Sequence, residues 1–219
     1  MNTKELRQLP NDYGKCTLLG INAIDKWCHI VTETSAPQIH SFVQRASKML
    51  GIKKPPRIVL YDSNTNVGNA GFHVFNDTIY LDLSYIRFFD NNQNIIHNTI
   101  GHELGHKTQT RRNFLSVALT ILGSMAIEYA NPSRIPFSLP VFVACLAALS
   151  FYSELDADYK GALVTSPQDA IAHMEKLNAA FPRSSTASWL REIIDDRGHL
   201  HPSEEFRIHA IKKRFNLEK

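Results

Sequence analysis

His102, Glu103 and His106 fall within one five-residue stretch, His102-Glu103-Leu104-Gly105-His106. On a helix, side chains four residues apart share a face, so both imidazoles can reach a single metal ion. The glutamate between them is placed to take a proton from a water held by that ion. Metal-assisted hydrolysis is the chemistry this spacing supports. A catalytic zinc needs three protein ligands and one open position, and two histidines with one carboxylate form an established set. The third ligand must then come from elsewhere in the chain. Glu154 is the best candidate, because it follows an apolar helix able to run antiparallel to the motif helix. Asp158, one turn further on, is suited to accept a hydrogen bond from a ligand histidine and so fix its tautomer.

The elements around the motif must position these groups. Asp90-Asn91-Asn92 offers N-caps for the helix that carries it. Ile96, Ile100 and Leu104 recur every four residues, as do His102 and His106, with an offset of two residues. That offset is about 200° around a helix, so an apolar stripe can bury itself while the histidines face a cleft. Gly101 and Gly105 each cost roughly 1 kcal/mol in a helix interior, and their shared face predicts close approach by another backbone. Upstream, helices are expected over Leu18 to Val31 and from Pro37 to Leu50, the second capped by Gly51. Arg57 to Tyr61 reads as a strand. Asn69 to Phe75 and Thr78 to Asp82 read as an antiparallel hairpin turning at Asn76-Asp77. An edge strand there could hold an extended peptide by adding it to the sheet. Downstream, helices are expected from Ser166-Pro167 to about Phe181, over Ser185 to Asp195, and from Glu204 to about Phe215.

Two uncharged stretches, Asn113 to Ile127 and Ile135 to Ser153, separate the histidines from Glu154. As helices they would reach about 22 and 28 Å, against a hydrocarbon core near 30 Å. Three arrangements are open: a transmembrane hairpin, a partly inserted hairpin, or an apolar pair buried in protein or in a dimer interface. Lys107, Arg111 and Arg112 precede the first stretch and only Arg134 lies in the turn. An inserted hairpin would therefore leave the catalytic part in the cytoplasm. Membrane association is the adopted reading, with a soluble cytoplasmic protein as the alternative.

Composition limits the remaining classes. With 219 residues, 43% hydrophobic and 21% charged, the chain can bury a proper core. The expected division is an N-terminal segment over 1–36 with one helix and a catalytic domain over 37–219, with 113–153 as the apolar pair. A net charge of +3, scattered along the chain, gives no nucleic-acid footprint. Cys16, Cys28 and Cys145 are odd in number and far apart, which predicts no disulfide framework and fits a reducing compartment. The first 15 residues hold no apolar core of a signal peptide, so none is expected. Seven further histidines lack ligand spacing and read as structural.

Three blocks carry a resemblance: His102 to His106, Glu154-Leu155-Asp156-Ala157-Asp158, and His201-Pro202-Ser203-Glu204-Glu205-Phe206-Arg207. Together with Asn69-Ala70, and in this order, they resemble the HtpX and CAAX prenyl protease family of zinc metallopeptidases over about residues 38 to 215. The resemblance implies a mostly helical α+β fold of zincin type, with a small antiparallel sheet and an apolar helical hairpin. It implies a zinc endopeptidase with His102, His106 and Glu154 as ligands, Glu103 as acid–base, and Asp158 in support. It places His201 and Arg207 near the site. His201 is open between stabilising the oxyanion of the tetrahedral intermediate and capping the last helix, whereas Arg207 reads as a partner for a buried acid. Asn69, Ala70 and Gly71 would form the substrate-binding edge, although Gly71 stands where an aromatic residue is common. The expected partners are protein or peptide substrates, membrane or misfolded ones by resemblance. The rival is an inactive zincin-scaffold adaptor or chaperone at the membrane.

Overall fold

The computed structural model describes residues 2–17, 27–66, 68–130, 135–180 and 202–217. Two short helices, α1 (Thr3–Leu6) and α2 (Tyr13–Thr17), lead to strand β1 (Cys28–Ile30). The helix expected over Leu18 to Val31 thus ends in strand, and residues 18–26 lie outside the described residues. α3 (Pro37–Met49) begins with proline in its first turn and stops at Gly51, whose φ of 69° is the left-handed conformation expected of a helix-ending glycine. β2 (Arg57–Tyr61), β3 (Ala70–His73) and β4 (Thr78–Asp82) complete a sheet of order β1-β2-β4-β3.

The fold is α+β and mostly helical, as expected. The sheet is mixed. β1 and β3 pair antiparallel with their neighbours, while β2 and β4 run parallel, with Ile58 opposite Ile79 and Leu60 opposite Leu81. The expected hairpin is β3–β4, but residues 74–77 form the turn and Asp77 takes a positive φ. β3 is the edge strand, and its register sets Ala70 against Leu81 and Gly71 against Tyr80.

Period-two burial explains the sheet's two faces. Ile58, Leu60, Ile79 and Leu81 join Ile39, Phe42 and Val43 of α3 in the main core. Val59 points the other way, into a small cluster with Cys16 and Cys28. Those two cysteines form a disulfide, which corrects the expectation of none. Spacing along the chain could not show that α2 packs on the start of β1.

α4 (Leu83–Phe88) follows β4 directly, and Asp82 caps it by accepting from the Ser84 amide at 2.8 Å. α5 (Gln93–Ala130) is a single helix of 38 residues, so the motif and the first apolar stretch are continuous. Asn92 caps its start through the amides of Asn94 and Ile95. Its stripe of Ile96, Ile100 and Leu104 is fully buried against the sheet and α3. α6 (Ile135–Val164) returns antiparallel: Gln109 meets Ser153, Gly105 meets Ala157 and Asn98 meets Thr165. α7 (Pro167–Ala180) is capped by Ser166, and α8 (Glu204–Arg214) by Ser203. The helix expected over Ser185 to Asp195 lies outside the described residues. Among the described residues one helix, over Pro140–Val164, is long and apolar enough to cross a membrane.

Candidate metal centre

The crossing of α5 and α6 brings the chemistry together. A Cβ placed on Gly105 would lie 2.7 Å from the Ala157 Cα, and one on Gly101 would lie 3.1 Å from the Gly161 Cα. Both glycines are therefore required by close backbone approach rather than by a turn. With the helices this near, His102 and His106 on α5 face Glu154 on α6. The two Nε2 atoms are 3.0 Å apart, and the Glu154 carboxylate lies 3.5 Å from His102 Nε2 and 3.3 Å from His106 Nε2. Donors about 2.0–2.1 Å from a tetrahedral zinc lie roughly 3.3 Å from one another. Two imidazoles and one carboxylate at these separations fit such an ion.

Each imidazole is oriented from behind. Asp158 accepts from His102 Nδ1 at 2.8 Å, which leaves Nε2 with its lone pair towards the centre. Asp158 is itself held by the Arg207 fork, with Nε at 2.7 Å and Nη2 at 2.6 Å. The same guanidinium lies 3.9 Å from Glu154. Arg207 therefore sits on a buried acid, one turn into α8.

His106 has a different support, made of groups the sequence reading passed over. Its Nδ1 lies 3.4 Å from Ser153 Oγ. Gln109 donates to the Ser153 carbonyl at 3.0 Å, which fixes its amide, so its oxygen takes the single Ser153 hydroxyl proton at 2.6 Å. Asn113 also donates to that hydroxyl, at 3.0 Å. Ser153 has only acceptor capacity left for His106, whose Nδ1 must carry the proton while Nε2 stays free. Gln109 and Asn113 are three and seven residues beyond His106, on its own helix face. Polar residues at that spacing were the available signal.

Without a metal, one proton lies between the imidazoles. Burial pushes His102 down, but the charge and hydrogen bond of Asp158, with Glu154, override it and lift the group to about 10. Burial and the neighbouring His102 cation hold His106 down to about 4. Glu103 is buried, and burial, with Glu154 close by, raises its carboxyl to about 6 against the pull of His102. The Phe72 amide faces Glu103 and pulls its carboxyl partly back down. The outer rim of edge strand β3 thus faces the motif helix, beside the candidate ligands. Ala70 and Gly71 lie on that strand and Asn69 immediately precedes it. A Cβ on Gly71 would meet nothing within 4 Å, so the glycine leaves open space. His201 lies outside the described residues.

Two of the other described histidines make packing contacts in the domain. His173 bonds the Tyr85 hydroxyl at 2.6 Å and Asn98 at 3.1 Å, and His97 stacks on Phe42.

Two facing imidazoles, a carboxylate and a buried glutamate beside an open strand edge are the parts of a metal-dependent hydrolase. The chain belongs to peptidase family M48, whose profile matches residues 33–215 and which includes the HtpX and CAAX prenyl protease metallopeptidases. It is accordingly a peptidase. Among curated proteins no significant match was found.

Proposed function

We propose that the protein is a zinc-dependent endopeptidase that works at the cytoplasmic face of a membrane on membrane or misfolded proteins. The observation that carries the reading is the donor triangle of His102, His106 and Glu154, with edges of 3.0, 3.3 and 3.5 Å. A zinc ion held there would supply Lewis acidity to the scissile carbonyl and lower the pKa of water.

The chain's own residues do the rest. An extended substrate segment pairs with the free rim of β3, through backbone groups at Ala70 to Phe72. Binding there draws the Phe72 amide to the substrate and away from Glu103, whose carboxylate takes a proton from water and passes it to the leaving amine. Asp158 and Ser153 hold the ligand imidazoles in one tautomer throughout. Arg207 keeps Asp158 ionised and in place.

Exposed Phe114, Leu115, Leu119, Leu122 and Met125 on α5, with Val141 and Val143 on α6, support membrane association. The cytoplasmic side rests on Lys107, Arg111 and Arg112 before the first stretch. The Cys16–Cys28 disulfide favours an oxidising compartment instead. Labelling of Asn94→Cys in sealed vesicles by an impermeant reagent decides the side.

Glu103→Gln should retain about one zinc per chain and lose chelator-sensitive cleavage of an unfolded protein. Glu154→Ala should lose the zinc. Retained cleavage in the first variant, or unchanged metal content in the second, overturns the assignment.

A further inference from the structure

The β3–β4 turn is the least covered part of the sheet. Phe75 at its tip is 96% exposed and Val74 is 51% exposed. A bare aromatic side chain at a hairpin tip is costly in water, since burial of apolar surface is favourable at roughly 25 cal/mol per Å². Two contacts fix where this tip points. β3 packs on α5 with the Phe72 amide facing Glu103, and Asp77 in the turn pairs with Lys107, one helical turn further along α5. The hairpin therefore runs in the direction of α5, towards its exposed apolar part.

Cationic side chains gather at the same level. Arg57 donates to the Asn76 carbonyl at 2.9 Å, which brings the start of β2 beside the turn. Lys53 and Lys54, both exposed, precede that strand, separated from it by Pro55-Pro56. Arg111 is exposed one turn beyond Lys107, and Phe114, on the same helix face, is 73% exposed. Across on α6, Tyr152 is 54% exposed beneath the Arg112 guanidinium, 4.8 Å from the ring centroid. The acids nearby are Asp77, paired with Lys107, Asp156, paired with Arg112 and Lys160, and Glu33, in the groove that also contains Lys53.

Aromatic rings among lysines and arginines, at the edge of an apolar helical surface, form the composition of a membrane–water boundary. We infer that the β3–β4 tip is a second membrane contact: Val74 and Phe75 enter the headgroup region of an anionic bilayer, while Lys53, Lys54, Arg57 and Arg111 face its lipid phosphates. The occupant is a lipid surface, because the patch is positive and continues into the exposed part of α5. The contact holds the edge strand flat against the bilayer, so the polypeptide it receives is a segment just leaving the lipid. This rests on the membrane reading above.

Single cysteines in a Cys145→Ala background, carrying an environment-sensitive fluorophore, test the contact in the full-length protein bound to vesicles. The sites are Phe75→Cys at the tip, Leu119→Cys in the apolar part of α5, and Asn94→Cys. Asn94 is about 20 Å behind Lys107 along α5. Vesicles contain phosphatidylcholine with or without phosphatidylserine, plus a headgroup-level nitroxide lipid as quencher. Position 119 should be shielded from a water-soluble quencher in both vesicles. Position 75 should be quenched by the nitroxide lipid with phosphatidylserine, severalfold less without it, and severalfold less when Lys53→Glu and Lys54→Glu are introduced. Shielding at 119 with position 75 no more quenched than position 94 overturns the inference and leaves membrane association standing. Equal quenching at 75 on both vesicles removes the anionic part and overturns it as stated. Exposure at both 119 and 75 overturns the membrane reading and this contact together.

Discussion

Gly105→Ala sets two physical effects against each other, and the structure says which wins. In an isolated helix the change would stabilise by about 1 kcal/mol, since alanine loses less backbone entropy than glycine. Here the new Cβ would stand 2.7 Å from the Ala157 Cα and 3.1 Å from its Cβ. Carbon atoms settle at about 3.5–4.0 Å, so α5 and α6 must part by roughly 1 Å. The neighbour is backbone and cannot rotate away. Overpacking of this kind costs about 1–3 kcal/mol, so the variant should be destabilised by up to about 2 kcal/mol despite its better helix residue.

The larger effect falls on the site. Ala157 lies between Glu154 and Asp158 on α6, so a shift there moves both. Opening the 3.3 and 3.5 Å edges between Glu154 and the imidazoles by about 1 Å takes them past the roughly 3.3 Å spacing of a tetrahedral zinc site. Zinc affinity should fall about 10- to 100-fold, the range seen when the groups orienting a ligand are lost. The measurements are competition for zinc with a chromophoric chelator and urea unfolding in one detergent. Gly123→Ala is the control, because a Cβ there meets nothing within 4 Å. A Gly105→Ala protein that is more stable than wild type, with zinc affinity within twofold, would refute the argument that the crossing sets the donor geometry.

Ser153→Ala should weaken zinc binding by about tenfold, because it frees the His106 tautomer, and cost about 1–3 kcal/mol in urea unfolding, because the buried Gln109 oxygen loses its donor; unchanged affinity in the same competition assay would show that the 3.4 Å contact does nothing. Arg207→Ala leaves the Asp158 carboxylate buried without its fork and should cost about 3–5 kcal/mol in urea unfolding, whereas a loss under 1 kcal/mol would mean Asp158 is satisfied by His102 alone. Metal-free stability should fall as pH drops from about 6.5 towards 4. Burial, with the charges of Arg207 and His102, holds His173 down to about 3, and burial holds His97 down to about 4, while unfolded histidines titrate near 6.5. The unfolded chain then binds protons that the folded chain refuses, and Glu103, raised to about 6, offsets only part of this. Urea midpoints at pH 7.5 and 4.5 check it, and His173→Gln should flatten the difference.

The parts legible in the sequence were those whose reason is local. Period and caps gave β2, α3, the start of α7 and the buried stripe of α5, because each depends on residues within a turn or two. Glu154 and Asp158 could be read as facing the histidines because an apolar helix pair leaves few ways to return. The missing parts depend on contacts far apart in the chain. The Cys16–Cys28 pairing, the parallel β2–β4 pair and the support of His106 by Ser153 arise only once elements pack. Gly101 and Gly105 announced a close approach, but nothing local named Ala157 and Gly161 as the surfaces approached.

α5 also shows why apolar content alone could not assign its surroundings. Ile96, Ile100 and Leu104 are 0% exposed, whereas Leu119 and Leu122, about four to seven turns later in the same helix, are 68% and 62% exposed. Residue type is alike in both halves; what differs is the presence of the sheet and α3 against the first half only. The change comes within the turns that carry Lys107, Arg111 and Arg112, where charge is tolerable and packed protein ends. His106 lies inside that boundary and Asn113 just beyond it, about 10 Å apart. A free-standing soluble chain would gain by covering the second half, and among the described elements only α6 lies against it, on one face, leaving Leu119 and Leu122 bare. The geometry that makes the donor triangle and the geometry that leaves the apolar surface bare therefore have one origin: a helix twice as long as the domain that packs against it.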